Sequence, residues 1–196
     1  DRLAQNPNLS ATAVNSFRYH YLTLDAVGRS GLTALKDIRV RKAIAHAIHR
    51  EELRTQVISG GKAVISLNAP CMPDQVGCKV TNSPPEYNVA KAKALMKEAG
   101  YEKGFDMTLT SLAESLSVNQ ALTGYLRKIG IRAKTQRVPI VALRKLRAQG
   151  KFNSVVGIYG SGGIPDVSPV FTFYWSGKGR PRDYHFDDVL TKIGKQ

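Results

Sequence analysis

The chain has 196 residues, 42% of them hydrophobic, and a formal net charge of +14 at pH 7. This length and apolar fraction predict one domain with a real core, and the absence of repeats or biased tracts excludes a low-complexity or repeat protein. No apolar run reaches the length of about 18 residues that a membrane-spanning helix needs, and the polar residues 1–7 do not resemble a signal peptide.

The positive charge is unevenly distributed. No Asp or Glu occurs between Glu114 and Asp166. The same interval contains Arg127, Lys128, Arg132, Lys134, Arg137, Arg144, Lys145, Arg147 and Lys151. This run predicts either a basic face for a polyanion such as nucleic acid or a solvated helix surface. We favour the solvated surface, because no aromatic residues are interleaved with the run and no helix-turn-helix, RNA-recognition or zinc pattern occurs.

The first third of the chain predicts a strand and then a helix. Aromatic and leucine residues alternate with polar ones over residues 15–24, which is typical of a strand. Asp37 is suited to the N-cap of a helix that we expect over residues 38–58, where apolar residues recur at helical spacing. His46 and His49 are expected on the surface of this helix.

The remainder predicts a long loop followed by alternating helices and strands. The loop covers residues 62–85 and contains Cys71 and Cys78, which lack both the extra ligands of a zinc site and the C-x-x-C spacing of a redox motif. The elements after it are a helix between Asn88 and Gly100, strands over 105–111, 131–138 and 152–159, helices over 118–129 and 139–149 with Val141, Leu143 and Leu146 inside, an aromatic segment over 170–175, and a last helix over 186–193.

This order predicts an α/β fold with a mixed sheet. In open α/β sheets, ligands bind in the crevice beyond the carboxyl ends of the strands. We therefore expect two segments on the ligand side, residues 110–114 and residues 159–166.

No catalytic or metal site is predicted. Gly160, Gly162 and Gly163 are not followed by a P-loop lysine and do not form G-x-G-x-x-G before a helix. The four histidines lack a further ligand at a matching spacing. Ser161 does not lie in G-x-S-x-G, and no histidine or acid can be assigned as its partner. We expect neither enzyme activity, nor a cofactor, nor a metal ion.

Four stretches, in order along the chain, resemble the signatures of one family. Residues 37–51 resemble D-x-R-V-R-x-A-[IL]-x-x-A-[IL]-x-R, and residues 87–101 resemble Y-[ND]-x-x-K-A-K-x-L-[LM]-x-E-A-G-Y. Residues 126–131 resemble L-x-K-[IV]-G-[IV], and residues 152–159 with Pro165-Asp166 resemble a strand followed by a D-P loop. These are signatures of the solute-binding proteins of the dipeptide, oligopeptide and nickel class, which serve ABC importers.

The resemblance implies a type II periplasmic-binding-protein fold. Residues 1–196 are then one α/β lobe, with a mixed sheet and helices on both faces, of a larger two-lobe protein, and residues 1–10 and 186–196 connect to the missing first lobe. The implied function is capture of a peptide-like or other small polar solute by closure of the two lobes, and delivery to permease subunits in the inner membrane. If the chain serves solute capture, no nucleic acid is expected as a partner. The alternative function is binding of a polyanion or nucleic acid.

The resemblance also implies a periplasmic location, which is an oxidising compartment where Cys71 and Cys78 would pair. A bond that closes so small a loop stabilises a protein by about 2 kcal/mol. Two reduced, inert thiols are the alternative.

The chain departs from the family at the ligand site. Peptide-binding members hold the ligand's α-ammonium with an aspartate where this chain has residues 160–163, and dipeptide-type members place an arginine where it has residues 111–114. A buried ammonium without a counter-charge is costly, so we expect a neutral polar solute or a longer peptide held through its backbone. The ligand-binding candidates are Tyr159, Ser161, Gly162, Asp166, Ser111 and Glu114. Asp166 either shapes its loop or faces the ligand.

Overall fold

Four strands form one mixed sheet in the computed structural model, which describes residues 8, 10, 17–58, 65–67, 69–79 and 83–169. The strands are β1 (Arg18–Leu24), β2 (Asp106–Ser111), β3 (Arg132–Arg137) and β4 (Ser154–Gly160). Their order across the sheet is β1-β4-β2-β3. β1 is antiparallel to β4, whereas β3 and β4 are both parallel to β2. The carboxyl ends of β2, β3 and β4 therefore lie along the same edge.

Among the described residues, α-helices and one π-helix flank the sheet. They are α1 (Ile38–Ala47), the single turn α2 (Arg50–Glu52) with a π-helix over Leu53–Val57, α3 (Val89–Glu98), α4 (Leu116–Arg127) and α5 (Ile140–Gln149). The predicted caps are confirmed: the Asp37 carboxylate and the Asn88 side chain each accept a hydrogen bond from an amide in the first turn, at 2.8 and 2.9 Å. Gly100 follows α3 with φ +80°, as expected of a residue just beyond a helix.

Hydrophobic clusters lie on both faces of the sheet. The main core packs β-strand residues such as Leu109 and Val156 against α1, α3 and α4. Because successive side chains of a strand point to opposite faces, Val155 joins a smaller cluster with Leu143 of α5 and Phe152. Helices thus cover both faces, which confirms the predicted α/β class and mixed sheet.

The first helix is shorter than the sequence predicts. Ile48 leaves the helical conformation with φ −86° and ψ 118°. His49 then caps a new turn, because its Nδ1 accepts a hydrogen bond from the Glu52 amide at 3.1 Å. The expectation of one helix over residues 38–58 is wrong, because His49 offers the backbone a local alternative to continuing α1.

Two predicted side-chain positions are also wrong. His46, expected on the surface, is 8% exposed, and its Nδ1 hydrogen-bonds to the Glu86 carbonyl oxygen at 2.8 Å. Val141, expected inside, is 73% exposed. Leu143 and Leu146 occupy the side of α5 that packs on the sheet. Helical spacing identifies a face, but the tertiary neighbours decide which residues at its margins are covered.

The expected elements over residues 170–175 and 186–193 lie outside the described residues, as do most of residues 1–10. Within the described ranges, no helix is both long and apolar enough to cross a membrane.

Candidate ligand cleft

The carboxyl ends of the parallel strands meet the start of β1 at one edge of the sheet. Ser111 ends β2 and pairs with Arg137 at the end of β3. Because β1 is antiparallel, its first residue, Arg18, pairs with Gly160 at the end of β4. This is the edge at which open α/β sheets bind ligands.

A cleft of about 1130 Å³ reaches this edge at Arg18 and Glu114 and extends along β1 to Leu24. β1 contributes residues from both of its faces, and β4 contributes Ile158. The other walls come from α1, α2, the π-helix, residues 65–67, 69–70 and 72–74, and the turn and helix from Glu114 onward. The lining includes Arg18, His20, Ile48, Leu53, Glu114 and Ile158. A mostly apolar cleft of this size, with a few polar groups, can hold a small organic ligand, since such sites are typically about 300–1,000 Å³.

The six predicted ligand-binding residues are not equally placed on this cleft. Glu114 lines it. Ser111 is fully buried, and its hydroxyl accepts a hydrogen bond from the Asn119 side chain at 2.9 Å. Tyr159 is 7% exposed, and its ring centroid lies 5.2 Å from that of Tyr19. Burial raises the pKa of Tyr159. Strand alternation places this pair of rings on the face of the sheet opposite Arg18 and His20. Tyr19 nevertheless lines the cleft, and its hydroxyl donates a hydrogen bond to the Pro70 carbonyl at 3.1 Å.

The other three candidates lie in the turn beyond β4. The Ser161 hydroxyl is buried and donates a hydrogen bond to the Ile164 carbonyl at 3.1 Å. Gly162 is exposed, with φ +68°. The Asp166 carboxylate accepts a hydrogen bond from the Ser168 amide at 2.7 Å, and bonds from the Ser168 side chain and amide hold the pKa of Asp166 below its usual value. Asp166 therefore has the loop-shaping contacts that the sequence allowed for.

The disulfide loop packs on this turn. Cys71 and Cys78 are bonded, with their Cα atoms 5.9 Å apart, which confirms the expected pairing. Between them, the Gln75 side-chain amide donates hydrogen bonds to the carbonyl oxygens of Ile164 and Asp166 at 3.3 and 3.1 Å. The covalent loop thus supports the segment that follows β4 at the edge of the cleft.

Sequence reasoning missed two cleft residues of β1, Arg18 and His20. Burial is the main cause of the lowered pKa of His20, and the Arg18 charge lowers it further. The Glu114 charge raises the pKa and partly offsets both. The His20 Nδ1 atom is buried and has no hydrogen-bond partner among the described residues. The alternation of β1 could have placed Arg18 and His20 on one face, but nothing in the sequence identified β4 as the neighbouring strand.

The cleft offers binding groups. Arg18, His20 and Glu114 can meet charged or hydrogen-bonding groups of a solute, and the surrounding aliphatic side chains can exclude water from them. In the described part of the chain, no group of three or more His, Cys, Asp or Glu side chains could hold a metal ion.

Residues 1–181 match the model of the middle region of the bacterial extracellular solute-binding proteins, family 5. The glutathione-binding protein GsiB of Salmonella choleraesuis is 29% identical over 159 residues, which cover 80% of this chain and 30% of that protein. The dipeptide-binding protein of Escherichia coli is 25% identical over 173 residues, covering 84% of this chain and 31% of that protein. The chain therefore spans about a third of the length of these curated relatives.

Solved structures have the same fold. The periplasmic binding protein DppA of Helicobacter pylori, in complex with the peptide STSA, superimposes with a TM-score of 0.83 at 24% identity, covering 100% of this chain and 39% of that one. The oligopeptide-binding protein OppA of Burkholderia pseudomallei superimposes with a TM-score of 0.76 at 23% identity, covering 92% of this chain and 37% of that one. These likenesses confirm the type II periplasmic-binding-protein fold.

Proposed function

Because the chain belongs to family 5 of the bacterial extracellular solute-binding proteins, we propose that it forms one lobe of a periplasmic receptor for an ABC importer. The receptor captures a peptide-like or other small polar solute and delivers it to permease subunits in the inner membrane. The observation that carries this proposal is the family match over residues 1–181, together with an open cleft at the ligand edge of the sheet. A glutathione-binding protein and a dipeptide-binding protein among the relatives support a peptide-like solute.

A second lobe completes the site in this proposal. The cleft is lined by strand residues, three helical segments and a loop, and the described residues leave it partly open. Closure of two lobes around a solute excludes water and strengthens each polar contact, because the local dielectric falls. A receptor of this kind moves by hinge closure, and the solute shifts the population toward the closed form.

The candidate residues divide into two groups in this proposal. Glu114 lines the cleft and faces the solute, whereas Gly162 is exposed in the turn beyond β4. The side chains of Ser111, Ser161 and Asp166 shape the wall, since each is already hydrogen-bonded within the lobe. Tyr159 supports β1 from the opposite face through its contact with Tyr19. The role is binding rather than catalysis.

The test is a thermal-shift panel on the complete receptor that contains this chain. The panel includes dipeptides, tripeptides, glutathione and neutral sugars. We expect one peptide-like class to raise Tm in a concentration-dependent way, because a ligand that binds only the folded state stabilises it by mass action. The same panel is applied to residues 1–196 alone. There the Tm shift is expected to disappear, because the contacts of the first lobe with the solute are missing.

A polyanion-binding protein would behave differently. Its affinity for duplex DNA or heparin would fall steeply as salt is raised, whereas binding of a net-neutral solute in a cleft changes little. Strong salt-dependent DNA binding, with no Tm shift from any solute of the panel, would overturn the proposed function.

A further inference from the structure

We propose that Arg18 and Glu114 hold the two oppositely charged ends of a zwitterionic, peptide-like solute in the cleft, Arg18 the carboxylate and Glu114 the ammonium group. This inference rests on the proposed function and names the chemical class of its solute. It differs from the expectation drawn from residues 110–114 and 159–166 alone, which lack an arginine and favour a neutral solute.

Arg18 is placed at the cleft by strand pairing. It pairs with Gly160 at the carboxyl end of β4. A Cβ atom at Gly160 would lie 3.2 Å from the Arg18 Cγ, so the absence of a side chain there lets the arginine stem pass over β4. The Arg18 side chain is exposed and makes no hydrogen bond or ion pair with the described residues. A guanidinium in this position can bind a carboxylate through two parallel N–H···O hydrogen bonds.

Glu114 supplies the opposite charge. It lies in the 3-10 turn Ala113–Ser115, between the end of β2 and the start of α4. The side chain is exposed, lines the same cleft as Arg18 and has no hydrogen-bond or ion-pair partner within the described ranges. A carboxylate can accept charge-assisted hydrogen bonds from an ammonium group.

His20 lies close enough to Arg18 and Glu114 for both charges to affect its pKa. The Arg18 charge lowers the pKa of His20, and the Glu114 charge raises it. Burial is the larger influence and favours the neutral ring. Arg18, His20 and Glu114 therefore lie near one another in the same cleft.

The other arginines of the cleft are already engaged. Arg41 donates to the Leu35 and Lys36 carbonyls at 2.8 and 2.7 Å. Arg50 donates to the Ala45 and Pro85 carbonyls at 3.0 and 3.1 Å. Arg54 pairs with Glu51. Among the described cleft residues, Arg18 is thus the arginine whose side chain has no hydrogen-bond or ion-pair partner, and Glu114 is a carboxylate without one. One free cation and one free anion complement a zwitterion better than a neutral solute.

The experiment uses calorimetry on the complete receptor with three probes for each peptide length. The probes are Ala-Ala and Ala-Ala-Ala, their N-acetyl forms, which lack the ammonium charge, and their C-terminal amides, which lack the carboxylate. The wild-type receptor is expected to bind the zwitterions most tightly. Arg18→Gln should lose the preference for the free carboxylate over the amide by about tenfold, and Glu114→Gln should lose the preference for the free amine over the acetyl form by a similar factor.

Two further variants sharpen the result. Arg18→Lys keeps the charge but loses the two-bond geometry, and it should retain part of the carboxylate preference. Arg132→Gln is the matched control: Arg132 is an exposed arginine of the same sheet that pairs with Asp106 at 2.7 Å, away from the cleft. Its binding profile should equal that of the wild type, and the Tm of every variant without ligand should be unchanged.

The inference is overturned if the receptor binds peptides but Arg18→Gln and Glu114→Gln leave both preferences intact or weaken all probes equally. In that outcome the proposed receptor function stands. If the wild-type receptor binds neither the dipeptide nor the tripeptide in any form, the inference fails as well, and the thermal-shift panel then decides separately whether another solute is its ligand.

Discussion

The polar groups at the two ends of the β1–β4 pair differ in their hydrogen bonding: one set is paired within the protein and the other is not. At the closed end, formed by Asp25, Ser30 and Asn153, the Asp25 carboxylate accepts hydrogen bonds from the Gly28 and Ser30 amides at 3.0 and 2.7 Å. Asn153 accepts from the Thr108 amide at 2.8 Å and donates to the Ser30 hydroxyl at 3.2 Å. Asp25 is 2% exposed, so its charge is buried but satisfied.

At the open end, formed by Arg18, His20 and Glu114, the polar groups lack partners among the described residues. The two charged side chains are exposed, and the His20 Nδ1 is buried without a hydrogen bond. Buried polar groups are normally hydrogen-bonded. Unpaired polar groups beside a cleft are typical of a ligand-binding site. The comparison supports the proposal that the open end serves binding, whereas the closed end maintains the fold.

The largest effect is expected at the closed end. Asp25→Ala removes two hydrogen bonds to a buried carboxylate and leaves the Gly28 and Ser30 amides unpaired, which should lower the free energy of unfolding by about 3 kcal/mol. Urea denaturation checks this value. Asp25→Asn keeps one acceptor and should lose less. A change in ligand preference without loss of stability would contradict the assignment of this end to the fold.

The second-largest effect on stability is expected for the disulfide loop, residues 71–78. Replacing Cys71 and Cys78 together with serine removes the closed loop, which should lower the free energy of unfolding by about 2 kcal/mol. The same variant should loosen the turn after β4, because Gln75 then holds Ile164 and Asp166 less firmly. Amide hydrogen exchange of residues 161–167 measures that effect. Thiol titration of the denatured, unreduced wild-type protein should find no free thiols.

A smaller, pH-dependent effect is expected at His20. Its folded-state pKa is lowered, mainly by burial, so the unfolded chain binds a proton more readily than the folded one. The contribution of His20 to stability is then fully present above the unfolded pKa of about 6.5 and is lost as the pH falls through the lower folded value. Urea midpoints between pH 5 and 7.5 should rise with pH, and His20→Gln should flatten this rise. An equal slope in the variant would assign the pH dependence to other groups.

The smallest effect on stability is expected at Gly160. In Gly160→Ala the new Cβ would press on the flexible stem of Arg18, which can move, so the unfolding free energy should change by less than about 0.5 kcal/mol. The displaced guanidinium should nevertheless weaken the carboxylate preference, as Arg18→Gln does. Chemical denaturation and calorimetry on the same preparation test both halves. Strong destabilisation would show that β4 itself cannot accept the methyl group.

Local signals in the sequence were sufficient for several features. The caps at Asp37 and Asn88 and the helix stop at Gly100 depend on contacts within one turn, so residue type alone predicts them. The strand and helix periods likewise predicted the α/β class. The cysteine pairing followed from the family resemblance.

The features decided only by tertiary structure depend on residues far apart in the chain. His46 is buried because the Glu86 carbonyl comes to its ring. Arg18 reaches the cleft because β1 pairs with β4 in a register that sets it opposite Gly160. Strand alternation states which residues share a face, but the choice of neighbouring strand and register is a long-range packing outcome, and that choice brought Arg18 and Glu114 to one cleft.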